Sequence, residues 1–117
     1  MSTKRLHVGR RMSQAVIHSG IVYLAGQVAQ NAAGQSVTEQ TKDVLAIIDD
    51  LLAQAGTDKS QLLTAQIWLS DITTFDEMNA VWDDWVSPDN PPARACVEAT
   101  LARPQFAVEI MATAALA

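Results

Sequence analysis

Apolar residues alternate in some segments of the chain and recur every three or four positions in others. These two periods divide it into strands and helices. Residues 15–19 (AVIHS) read as a short strand broken by Gly20, and residues 21–28 (IVYLAGQV) as a second strand, so the pair forms a hairpin. A loop follows over 30–35. Ser36 and Glu39 have capping-box spacing. Val44, Ile47, Ile48, Leu51, Leu52 and Ala55 then make one apolar helical stripe that Gly56 closes. Residues 62–70 (LLTAQIWLS) are a third strand. Thr74 and Glu77 repeat the capping-box spacing, and Phe75, Met78, Val81, Trp82 and Trp85 stripe a second helix. The prolines of 87–92 (SPDNPP) impose an irregular segment. Residues 93–100 (ARACVEAT) alternate, with Ala95, Val97 and Ala99 on one face and Arg94, Cys96, Glu98 and Thr100 on the other. Residues 106–115 (FAVEIMATAA) form the last strand.

The order β-β-α-β-α-β-β is α+β, with two helices covering one face of the sheet. The last strands carry apolar residues on both faces, Ala107 and Met111 opposite Phe106, Val108 and Ile110. An uncovered apolar face points to association, here a homo-oligomer with sheets face to face. The alternative is that the N-terminal segment covers it.

Composition narrows the function. The 117 residues, 49% of them hydrophobic, suit a single domain, 1–117, with one core. The net charge of −5 argues against a nucleic-acid partner, which needs a basic face. Lys4, Arg5, Arg10 and Arg11 gather near the start and read as a solvated tail. No apolar run is long enough to span a membrane, and no secretory signal is visible, so a cytoplasmic location is expected. Cys96 is the only cysteine, and His7 and His18 stand apart, so no metal site is expected. Phosphate loops and the usual cofactor motifs are absent; no cofactor is expected.

Two charged residues stand where a core is expected. Arg94 opens a strand directly after Pro91 and Pro92. A guanidinium keeps its charge and matches a carboxylate with paired donors, so a rigidly held one is a candidate carboxylate clamp. The alternative is a surface arginine at a strand end, or one paired with a local acid. Glu109 lies between FAV and IM. It either pairs with an arginine, has a raised pKa suited to proton transfer, or faces water from an edge strand. Cys96 shares the Arg94 face and is either a pocket residue or a small hydrophobe. On neighbouring strands, Arg94, Cys96 and Glu109 would make a site for a small carboxylate.

PPARACVEATLARPQFAVEIMATA resembles the signature segment of the Rid family, the YjgF-type enamine/imine deaminases. MSQAVIHSGIVYLAGQV resembles the family's N-terminal hairpin, and MNAVWDDW its second helix. The resemblance implies a chorismate-mutase-like fold and a homotrimer, with the sheets in a central barrel and pockets at subunit interfaces. It implies hydrolysis of 2-enamino or 2-imino acids to 2-keto acids and ammonia, without cofactor or metal. By the same resemblance Arg94 clamps the substrate carboxylate, and Glu109 positions water and shuttles protons. Cys96, Asn79 and the backbone at Gly26 line the pocket. Met12 and Ala25 stand where the family carries a tyrosine and a serine, so two hydroxyls are missing and the wall is more apolar. That departure keeps two other readings open: a non-catalytic trimer binding small carboxylate metabolites, and a different reaction in a similar interface pocket, such as a pericyclic mutase.

Overall fold

Residues 2–117 are described by a computed structural model. Seven strands join one mixed sheet: β1 (Lys4–Val8), β2 (Ser13–His18), β3 (Ile21–Leu24), β4 (Gln27–Val28), β5 (Leu62–Leu69), β6 (Ala93–Glu98) and β7 (Val108–Ala115). The order across the sheet is β1-β2-β3-β7-β5-β6, with β4 also paired to β7. Every pairing is antiparallel except β5 with β6. The helices are α1 (Val37–Ala55) and α2 (Phe75–Trp85).

The expected α1 stripe is the buried one. Val44, Leu45, Ile48, Leu51 and Leu52 are buried, while Ile47 and Ala55 pack at its margin. The Ser36 hydroxyl accepts from the Glu39 amide at 3.2 Å. Gly56 ends the helix at φ 91°, a conformation that favours glycine. On α2, Met78 and Trp82 are buried and Phe75, Val81 and Trp85 half-buried. The second capping box does not form: the Thr74 hydroxyl donates to the Asp71 carbonyl. Glu77 instead accepts from the amide and hydroxyl of Thr38, both at 2.9 Å, capping the other helix.

Three strand expectations need correction. The N-terminal tail is β1, paired with β2 at the sheet edge, so it does not cover the bare face. The strand expected over 21–28 is two strands. From Tyr23 to Gln27 is four steps, while their partners Thr113 and Ile110 are three apart. One extra residue on one strand is a β-bulge, which reverses the face on which the following residues fall. The Gln27 side chain, 5% exposed, holds this bulge by donating to Gln14 Oε1 (2.8 Å) and to the Ala25 carbonyl (3.0 Å). Finally, β6 is not a core strand: it is the outer edge, and of its residues only Cys96 is half-buried.

The cross-strand rows define the two faces. Toward the helices lie Ala112–Ala65–Arg94, Ile110–Ile67–Cys96 and Val108–Leu69–Glu98. On the opposite face lie Tyr23–Thr113–Thr64–Ala93, Met111–Gln66–Ala95 and Glu109–Trp68–Val97. Ile67, Leu69, Val108 and Ile110 are fully buried, whereas Tyr23, Val97 and Met111 are 41–48% exposed. The second face is therefore bare, as the alternation predicts.

Candidate functional site

The expected site residues gather in two groups. In the first, β6 presents Arg94 and Cys96 toward the helix side, and α2 presents Asn79. The Arg94 Nη1 donates to Asn79 Oδ1 at 2.7 Å. The guanidinium carbon lies 5.2 Å from the Trp82 ring centroid and 5.9 Å from that of Phe75. Phe75, Asn79 and Trp82 follow one another at i, i+4 and i+7, so one stripe of α2 faces the arginine. Among the described residues no carboxylate lies within salt-bridge distance of Arg94; the ion pair found is Lys42 with Glu39, at 3.9 Å. The charge is thus held by a neutral amide and two ring faces, and most of its donors are uncommitted. Cys96 sits two residues along the same face. Partial burial pushes its thiol up, and the nearby Arg94 charge pulls it back in part.

The second group is built on β7 and the β3–β4 bulge. Glu109 is half-buried on the bare face, and burial raises its carboxyl above the ordinary range. Its carboxylate lies over Gly26, where an added Cβ would collide with Oε2. The missing Cβ of Gly26 leaves room for this close approach, and the bulge brings the backbone there. Ala25 donates its amide to the Gln14 carbonyl (2.9 Å), while Met12, 48% exposed, accepts from the Gly9 amide at 2.7 Å. Ala25 is thus tied to β2 at Gln14, and Met12 directly precedes that strand.

The two groups do not meet within one protomer. Arg94 pairs with Ala65 and Glu109 with Trp68, three residues further along β5. An odd offset places the side chains on opposite faces. Two strand spacings and three residue rises put their backbones about 10 Å apart in each direction. The expectation of neighbouring strands is overturned, because β5 lies between β6 and β7. A site containing both charges needs a second copy of the chain.

Sequence reasoning missed the ring faces on Arg94; the i, i+4, i+7 spacing around Asn79 was the available signal. A concavity of about 530 Å³ lies between α1 and α2 and is lined by none of the expected residues. Its acids are partly engaged by the fold: Glu77 caps α1, and Asp49 accepts from Trp85 Nε1 at 2.9 Å. A smaller depression of about 320 Å³ crosses β6, β5 and β7, with Thr64, Gln66, Arg94, Met111 and Thr113 among its walls. No group of His, Cys, Asp and Glu among the described residues could hold a metal ion.

Two helices on one face of a mixed sheet, with a held arginine at its edge and a half-buried glutamate beneath, define the class of fold. The family described as Endoribonuclease L-PSP matches residues 2–116, and the chain belongs to that family, the RutC/YjgF or Rid proteins its sequence resembles. It is 46% identical to a RutC family protein of Haemophilus influenzae, over 95% of this chain and 96% of the relative. It is 39% identical to the RutC family protein YoaB of Escherichia coli, over 99% of this chain and the whole relative. A YjgF-family crystal structure from Neisseria meningitidis superposes with a TM-score of 0.96 at 46% identity, covering 100% of this chain and 97% of that one. A Rid-family structure from Yersinia pestis gives 0.85 at 30% identity, over 93% and 90%.

Proposed function

We propose that the protein hydrolyses reactive 2-enamino and 2-imino acids to 2-keto acids and ammonia in the cytoplasm. It acts as a homotrimer in which the bare sheet faces pack together. The observation that carries this reading is the Arg94 guanidinium, fixed by Asn79, Phe75 and Trp82 yet without a carboxylate of its own. Arg94 of one protomer clamps the substrate carboxylate, and Glu109 comes from the neighbour.

The chemistry asks little more. A neutral Glu109, favoured by its burial, can protonate an enamine at carbon and give the iminium. The resulting carboxylate takes a proton from water as the water oxygen attacks the imine carbon. Glu109 returns that proton to nitrogen, ammonia leaves, and the hydroxyl proton passes back to the carboxylate as the keto carbonyl forms. Fixing the carboxylate and the water supplies most of the acceleration.

The test is keto-acid release from an imino acid generated by an amino-acid oxidase. Added protein accelerates release, and Arg94→Ala abolishes the acceleration. A wild-type rate equal to that of buffer contradicts the reading. Met12 and Ala25 favour a second reading, a carboxylate-binding trimer without turnover, because neither offers a hydroxyl; each lost contact is worth about 0.5–1.5 kcal/mol. Thermal stabilisation by 2-keto acids without turnover identifies that case. The family's description names an endoribonuclease, but this chain's charge of −5 offers poor attraction for a phosphodiester backbone.

A further inference from the structure

We propose that Phe75 and Trp82 are positioning residues that hold the Arg94 guanidinium between their ring faces, so that its free edge meets a ligand carboxylate. The inference rests on the reading of Arg94 as a carboxylate clamp and adds how the clamp is oriented. An arginine at an exposed strand edge samples many rotamers, and a ligand that fixes them loses affinity. Here the carbon of the guanidinium lies within 6 Å of two ring centroids, close enough for cation–π attraction to both. Asn79 takes one N–H of Nη1 and sets the rotation of the plane.

The rings are themselves held. Trp82 is 5% exposed and meets Trp85 with centroids 5.3 Å apart at 52°. Trp85 is tied to α1 through Asp49 and carries Lys59 at 5.2 Å. Phe75 opens α2 and is only half-buried, so its ring can be exchanged for an aliphatic side chain of similar bulk with little effect on the core. With Arg94 still in place, a looser guanidinium chiefly weakens capture of the carboxylate, so losing the ring raises KM more than it lowers kcat.

Phe75→Leu, Phe75→Tyr and Arg94→Ala are compared in the assembled protein, by calorimetric binding of pyruvate and by imine hydrolysis. Phe75→Leu is expected to raise the pyruvate dissociation constant and KM about fivefold, with the change falling on KM rather than on kcat. Phe75→Tyr restores both, and Phe75→Leu adds nothing once Arg94 is alanine. A Phe75→Leu protein indistinguishable from wild type overturns the inference. So does an equal effect in the Arg94→Ala background, since the ring then acts through something else. Binding that needs Arg94 but ignores Phe75 overturns this inference alone; pyruvate binding that ignores Arg94 overturns the parent reading with it.

Discussion

The two faces of the sheet come from the same strands, yet they are finished differently. Toward the helices, Ile67, Leu69, Val108 and Ile110 are sealed within one chain. On the other side, Tyr23, Val97 and Met111 remain open beside Thr64 and Thr113, whose hydroxyls bond at 2.6 Å, and beside the half-buried Glu109. One face is complete in the protomer, and the other is left bare. The same division separates the two halves of the candidate site: Arg94 belongs to the closed side and Glu109 to the open one.

Substitutions on the two faces should therefore fail in different ways. Met111→Glu places charge on the open face, and the account predicts loss of assembly and of all catalysed hydrolysis while the protomer stays folded. Ile67→Ala on the closed face should instead cost about 2–5 kcal/mol of stability. Light scattering with thermal unfolding separates the outcomes; an assembled, active Met111→Glu protein breaks the comparison.

Glu109→Gln should lower kcat/KM about 10²–10⁴-fold with assembly intact, the range for general acid–base groups. The raised carboxyl also sets a pH signature. A group that holds its proton more tightly folded than unfolded favours the folded state below the unfolded value, about 4.3, and loses that contribution as pH rises through the higher folded value. Above that window Glu109→Gln should be more stable than the glutamate protein when both carry Met111→Glu. Unfolding midpoints at a series of pH values check the sign.

Among substitutions on the open face the smallest expected effect comes from Gly26→Ala. The added carbon meets the far end of the Glu109 side chain, which can move, so the fold should survive. Activity should fall about tenfold through displacement of that carboxylate, on the order of 1.4 kcal/mol. Unchanged activity would mean that the seat of Glu109 does not matter.

Local patterns were legible and long-range ones were not. The α1 stripe, its Ser36 and Gly56 ends and the face shared by Arg94 and Cys96 follow from periodicity alone. KRLHV read as a tail because its place in the sheet depends on pairing with β2. The bulge at residues 25–26 hid inside an apolar run that looks continuous. Thr74 and Glu77 share the spacing of Ser36 and Glu39, yet Glu77 serves α1, a partner 39 residues away that no local pattern announces. The insertion of β5 between β6 and β7 is likewise non-local, and it is what separates Arg94 from Glu109. Patterning singled out Arg94, Cys96 and Glu109, and the resemblance added Asn79, Gly26, Met12 and Ala25; the topology shows that one chain cannot bring Arg94 and Glu109 together.

Co-expressing Arg94→Ala and Glu109→Gln chains under separate tags, and assaying the purified mixed assemblies, tests that claim most directly. Each variant alone is inactive. In a three-membered ring of head-to-tail interfaces, a site regains both groups where the Arg94→Ala chain lends its glutamate and the Glu109→Gln chain its arginine, which is one interface in three, roughly a third, of every mixed trimer. Recovery of roughly that fraction of wild-type imine hydrolysis is the predicted result; mixed assemblies as inactive as either parent would contradict it.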